Sequence, residues 1–210
     1  MNALKNWFIN TRTAIIIWIG TVHWKPSNLL TATEQQSVVR LLMSDYYIIL
    51  TRRNNHLSTY ATFFTSLLYT GKFSFWSHAM MNLEDQVNGV EDFRIVEAIG
   101  DGVEYTPFDK ALDVNSIVLL KPKHLTISDW TTILDKAKSE VGKPYDNLFD
   151  LANDKALSCV ELVRTALKAE PDYDKNFAAF EAMIAKAGNQ LTPQMFYDCE
   201  DFEIAYEIRR

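Results

Sequence analysis

A cysteine at a predicted helix start is the first candidate for chemistry. Ser158 and Glu161 have the spacing of a capping box, in which each side chain accepts a hydrogen bond from the backbone N–H of the other residue. The box places Cys159 at the first helical position, where unpaired N–H groups and the helix dipole favour a thiolate. Cys159 is therefore a candidate nucleophile. The alternative is a small buried side chain, as most lone cysteines are.

The second cysteine has a less favourable setting. Cys199 lies between Asp198 and the pair Glu200-Asp201, and neighbouring carboxylates disfavour a thiolate. We therefore expect Cys199 to be structural. Two cysteines are too few for a disulfide scaffold, and neither forms a CxxC pair with zinc-site spacing. The sequence suggests no metal and no organic cofactor.

A thiol nucleophile needs a base, and His78 is the histidine with the most unusual setting. It is predicted to point from the middle of an apolar strand, beside Trp76 and Met80, where a polar ring is rare unless a structural or functional role keeps it there. Glu97 lies in the next predicted strand in equally apolar surroundings. If the two strands pair, Glu97 can fix the tautomer of the imidazole as the third member of a Cys–His–Glu set. The alternative is a core histidine bonded to backbone. The other histidines are His23, His56 and His124.

The elements that must position these residues follow from hydrophobic periodicity and turn residues. Strands are predicted over 45–51, 73–83, 93–99 and 116–120. Helices are predicted over 33–44, with Thr33 as its cap, 57–69, 128–141, from 159 onward, over 176–187 and from Pro193. A helix, then a small antiparallel sheet, then several helices is an α+β pattern.

Composition excludes several classes of protein. With 210 residues, 48% of them hydrophobic and 23% charged, the chain is predicted to be one ordered domain. A net charge of −6 without a basic stripe argues against nucleic acid as a partner. The apolar run at 14–19 is shorter than the roughly 20 residues of a membrane span. Since no cleavage-site residues follow it, we expect no signal peptide and a cytoplasmic or assembly-associated protein.

Residues 1–44 form a predicted N-terminal arm and helix that precede a domain over 45–210. Residues 1–30 are rich in aromatic and β-branched side chains. One interpretation is an arm packed on the surface of the domain. The other is a docking segment for a larger assembly or a membrane surface, since exposed apolar patches usually mark contacts.

Several segments resemble the circularly permuted NlpC-type papain-like cysteine hydrolases, the YiiX-like group. In chain order, the first matching motifs are an Asp-containing strand and a Ser-His strand. The last are Cys-x-Glu-Leu-Val and Leu-Thr-Pro. His78 precedes Cys159, the reverse of the usual papain-like order, which a circular permutation explains. The segments that carry the resemblance are 45–52, 77–79, 95–103, 142–150, 157–163 and 191–193.

This resemblance implies a papain-like α+β domain whose small antiparallel sheet packs against helices. Cys159 would be the nucleophile, His78 the base and later the acid, and Glu97 the residue that orients the imidazole. The backbone N–H of Cys159 would contribute to an oxyanion hole. Tyr145 would border the cysteine as a substrate binder or a second oxyanion donor. Its alternative role is to pack the loop.

The leading functional hypothesis is a cysteine hydrolase that cleaves an amide, in a peptide or a peptidoglycan stem, through a thioester. A second hypothesis is a hydrolase or transferase of acyl esters or thioesters, because the resemblance extends to enzymes that handle lipid acyl chains. The third is a catalytically idle component of a larger assembly such as a virion, with residues 1–30 as the contact. Reactivity of Cys159 at neutral pH separates the third hypothesis from the first two.

Overall fold

The computed structural model describes residues 28–54, 59, 62, 66–67, 71–87, 90–147, 149 and 151–210. Its strands are β1 (Ile48–Arg52), β2 (His78–Val87), β3 (Val90–Ile99), β4 (Gly102–Thr106), β5 (Ser116–Pro122) and β6 (Phe202–Ile208). Its helices are α1 (Ala32–Leu42), α2 (Phe108–Ala111), α3 (Ile127–Ser139), α4 (Cys159–Leu167), α5 (Tyr173–Asn176), α6 (Ala178–Lys186) and α7 (Pro193–Asp198).

All six strands belong to one sheet in the order β4-β3-β2-β1-β5-β6, and every neighbouring pair is antiparallel. One sheet face packs against α3, α4, α6 and α7 in the larger core, which contains Trp130, Leu162, Phe180 and Phe196. The opposite face packs against α1 and α2 in a smaller core around Val38 and Leu112. The α+β class predicted from the sequence is confirmed.

The strand that carries His78 begins later than predicted. β2 starts at His78 itself, not at Phe73, so His78 is the first residue of its strand and not a residue in the middle. The segment before His78 makes hydrogen bonds that do not belong to a ladder between strands. The backbone N–H of Phe75 donates to Gln194 Oε1 at 2.8 Å, and the Ser74 hydroxyl donates to the Trp76 carbonyl at 2.6 Å. These contacts bend the chain just before the histidine.

Two helices begin earlier than predicted, because a threonine further upstream caps each of them. Thr31, not Thr33, caps α1, and its N–H donates to Glu34 Oε2 at 2.7 Å. Thr126 caps α3 in the same way, with its N–H donating to Asp129 Oδ2 at 2.7 Å. Both caps are complete capping boxes, the local signal that also marks the start of α4.

Two strands are absent from the sequence prediction. β4 follows the turn at Gly100-Asp101, where the prediction ends the strand over 93–99 and expects no further strand before residue 116. β6 has the alternation of a strand, with Phe202, Ile204, Tyr206 and Ile208 separated by other residues, so a period-two signal was available. The predicted helix over 57–69 and the arm over 1–27 fall mostly or wholly outside the described residues.

The N-terminal helix is tied to the sheet and to the C-terminal residues. Val38 and Leu42 are buried in the smaller core, and the Arg210 guanidinium pairs with Glu34 at 2.6 Å and donates to the Leu29 carbonyl at 2.7 Å. The domain boundary between 44 and 45 stays a prediction. Within the described residues, no helix has the length and apolar character needed to cross a bilayer.

Candidate active site

Helix α4 presents Cys159 at its N-terminus, as the sequence predicts. The backbone N–H of Ser158 donates to Glu161 Oε2 at 2.7 Å, which fixes the first turn. Nearly all of the helix is buried, and it packs against β2 and β3. Cys159 is 6% exposed. Because α4 is buried and capped, its first residue has little freedom to move relative to the sheet.

The sheet brings His78 and Glu97 together. In the register of β2 and β3, Glu97 lies opposite Met80, so His78 is its diagonal neighbour on the same face. His78 Nε2 lies 2.6 Å from Glu97 Oε2, and the imidazole also interacts electrostatically with the Cys159 sulfur. The three side chains that the sequence singles out for chemistry therefore form one connected group.

This group favours a charged imidazole. Burial opposes a charge on the ring, but the Cys159 sulfur and the Glu97 carboxylate outweigh burial and raise the pKa of His78 to about 10. Burial would likewise raise the pKa of Glu97, yet the hydrogen bond and charge of His78 hold that pKa below its ordinary value. A charged His78 beside the Glu97 carboxylate is therefore the arrangement expected at neutral pH.

The three side chains open onto a cavity of about 840 Å³. Apolar residues line part of it, among them Val160, Leu191 and Pro193. Charged residues from β4, from the chain around α2 and from just after the end of β1 also line the cavity. The sequence prediction missed them because these elements lie far from Cys159 in the chain. These charged residues are Arg53, Glu104, Asp109, Lys110 and Asp113.

Tyr145 borders the same cavity on a loop that is tied down at both ends. At one end, the N–H of Val103 donates to the Lys143 carbonyl at 2.8 Å. At the other, the N–H of Leu157 donates to the Pro144 carbonyl at 3.0 Å. The Tyr145 ring lies edge-on to Phe149, with centroids 6.2 Å apart. The loop therefore couples the start of β4 to the residue just before the α4 cap.

Gly102 sets how closely this loop approaches the sheet. Its φ is +125°, and a Cβ on this residue would collide with the Lys143 carbonyl oxygen. We expect Gly102→Ala to lower the free energy of unfolding by about 2 kcal/mol, because both the strained φ and the collision must be relieved. Chemical denaturation measures this change.

Gly100→Ala is the matched control, since a Cβ at Gly100 meets nothing within 4 Å. This variant should unfold within about 0.5 kcal/mol of the unmodified protein. Equal losses in the two variants would show that the close approach at Gly102 does not stabilise the fold.

Cys199 has the surroundings of a structural residue. It is 3% exposed, and burial, together with the Asp201 and Glu200 carboxylates, raises the pKa of its thiol to about 12. This agrees with the expectation from its acidic neighbours in the sequence. Cys159 is thus the cysteine with a basic partner among the described residues.

Comparisons with known proteins agree with the fold. A family model described as permuted papain-like amidase enzyme, YaeF/YiiX, C92 family matches residues 48–206. The crystal structure of metalloprotein yiiX from Escherichia coli O157:H7 superimposes with a TM-score of 0.55 at 17% identity, covering 78% of this chain and 97% of that one. No curated protein matches the chain.

The yiiX protein is described as a metalloprotein, which raises the question of metal ligands in this chain. Across the part of the chain that the structure describes, no group of three or more His, Cys, Asp or Glu side chains is arranged to hold a metal ion. His78 instead bonds to Glu97 and interacts electrostatically with the Cys159 sulfur.

Proposed function

Because the chain belongs to the permuted papain-like amidases of the YaeF/YiiX type and is a cysteine peptidase or amidase-type hydrolase, we propose that Cys159, His78 and Glu97 are its catalytic residues. The observation that carries this proposal is the position of the imidazole, 2.6 Å from the Glu97 carboxylate and close enough to the Cys159 sulfur for an electrostatic interaction. Thiol nucleophiles paired with a base and an orienting third group have this arrangement.

In the proposed reaction, the Cys159 thiolate attacks the carbonyl carbon of an amide and forms a tetrahedral intermediate. The backbone N–H of Cys159, at the start of α4, donates to the developing oxyanion. The His78 imidazolium gives its proton to the amide nitrogen, the C–N bond breaks and an amine leaves. Water then attacks the thioester while His78 takes its proton, and the C–S bond breaks to release the acid.

Glu97 would hold the ring and stabilise its positive charge. Since Glu97 binds Nε2, the ring nitrogen left for exchange with the sulfur and the substrate is Nδ1. Tyr145, on its tied loop, would contact the substrate at the edge of the cavity. These are the roles that the family resemblance implies for both residues.

For the substrate, we propose a peptide or a peptidoglycan stem. The charged wall formed by β4 and the residues around α2 supports a substrate with several polar groups. An acyl ester or thioester is the second candidate, favoured by the apolar residues that line the same cavity: Ala98, Val160, Leu191 and Pro193.

Trapping the covalent intermediate tests the function. We expect acid-quenched protein, mixed briefly with p-nitrophenyl acetate, to carry one acetyl group on Cys159 by intact-mass and peptide analysis. Hydroxylamine should remove this group, because a thioester is labile to it. A panel of peptide amides, peptidoglycan fragments and acyl thioesters, read in the same way, then identifies the substrate class.

Cys159→Ala is the control for this experiment and should carry no hydroxylamine-sensitive acetyl group. Cys199→Ala should be acylated like the unmodified protein, since Cys199 is buried away from a base. A protein that carries no acyl group on Cys159 from any member of the panel would instead fit the idle component of a larger assembly.

A further inference from the structure

The cavity beside Cys159 carries more negative than positive side chains. Within the described residues, its wall contains four carboxylates and two cations besides Cys159 and His78. The Arg53 guanidinium is already paired, 2.9 Å from Asp113 Oδ2, and it also donates to the Asp113 carbonyl at 2.8 Å. The remaining charges are Glu97, Glu104, Asp109 and Lys110.

Glu104 has an unusual neighbour for a carboxylate. It lies directly opposite Glu97 in the register of β3 and β4, which places the two Cβ atoms roughly 5 Å apart. Like charges opposite each other destabilise a sheet. Glu97 is neutralised by His78, whereas the Glu104 carboxylate has no ion pair or hydrogen bond among the described residues.

From this juxtaposition we propose that Glu104 is a specificity-determining residue that binds a positively charged group of the substrate. The proposal rests on the proposed function, because it places this group beside the bond that Cys159 attacks. A substrate ammonium at Glu104 would supply a counter-ion for the Glu104 carboxylate, as His78 does for Glu97. It would also offset the excess of carboxylates in the cavity. An anionic substrate group at the same position would meet two carboxylates.

Thiol reagents of different charge test this proposal without a known substrate. The probes are 2-(trimethylammonium)ethyl methanethiosulfonate, 2-sulfonatoethyl methanethiosulfonate and the neutral methyl methanethiosulfonate, with labelling of Cys159 followed by mass spectrometry. The trimethylammonium group takes the place of the substrate cation. We expect the cationic reagent to react faster than the anionic one, and Glu104→Gln to lower this rate ratio about tenfold.

Asp101→Asn is the matched control, since Asp101 is exposed in the turn between β3 and β4 but does not line the cavity. Its rate ratio should stay within about twofold of the unmodified protein, because an exposed charge is screened by salt. Glu104→Lys should reverse the preference for the cation. An unchanged ratio in Glu104→Gln, or equal changes in Glu104→Gln and Asp101→Asn, would overturn the proposal.

The neutral reagent separates this proposal from the proposed function. Its rate at pH 6 reports the activated thiolate and does not depend on the charge at Glu104. If the neutral reagent labels Cys159 slowly, but the ratio of cationic to anionic labelling rates still falls in Glu104→Gln, only the catalytic proposal is contradicted. If the neutral reagent labels Cys159 fast, but the ratio of cationic to anionic labelling rates is unchanged in Glu104→Gln, only the role of Glu104 is contradicted.

Discussion

Alanine in place of His78 will slow the alkylation of Cys159 by iodoacetamide at pH 6 by about 100-fold. The thiolate is the reactive form of cysteine, and an unassisted thiol with a pKa near 8.5 is well under 1% ionised at pH 6. Because the pKa of His78 is raised to about 10, the imidazolium stays charged from acidic pH up to that value. The unmodified protein should therefore be labelled at a nearly constant rate between about pH 6 and 9.

In His78→Ala, the same rate should climb with pH around 8.5, as it does for an ordinary thiol. Rates are measured by quenching at intervals and quantifying the labelled Cys159 peptide. His124→Ala is the matched control, because His124 is exposed and does not line the cavity, and its profile should follow that of the unmodified protein. If all three proteins showed the ordinary rise near pH 8.5, the ion pair between Cys159 and His78 would be refuted.

Glu97→Gln should lower the rate of Cys159 acetylation by p-nitrophenyl acetate at least 100-fold. The carboxylate accepts a hydrogen bond from Nε2–H, whereas the amide of glutamine also offers hydrogen-bond donors and can favour the other tautomer of the ring. Losing the negative charge also removes one cause of the raised pKa of His78, so less of the imidazolium remains at neutral pH. Rapid mixing with a mass readout measures the rate.

Glu200→Gln is the control for this substitution, since Glu200 is exposed and does not line the cavity. Its acetylation rate should match that of the unmodified protein. A Glu97→Gln protein that reacts within about threefold of the unmodified protein would mean that His78 does not need the carboxylate to orient it.

The parts of the site that depend on local sequence were predictable. The start of α4 follows from a capping box that involves only Ser158 and Glu161, and the same short-range signal places Cys159 at the helix N-terminus. The family resemblance added the order of His78 and Cys159 along the chain. What the sequence could not provide is the register that places Glu97 diagonal to His78, because strand pairing depends on contacts distant in sequence.

The charged wall of the cavity shows the same limit more strongly. Asp113 and Arg53 are separated by sixty residues and meet only because β1 pairs with β5. Glu104 belongs to β4, a short strand after a turn, which the residue pattern alone did not indicate. Even β6, whose alternation was visible, becomes a strand only because β5 offers it an edge.

The pairing of β5 with β6 has a consequence for the order of folding. β5 joins β1 on one side and β6 on the other, yet about 80 residues, including α3 to α7, are synthesised between β5 and β6. Until β6 arrives, β5 is an edge strand with unpaired backbone groups, a template for association with other chains. Contacts this distant in sequence also slow folding. The last step of folding is therefore expected to be the docking of β6, and the nascent chain is most prone to aggregate just before it.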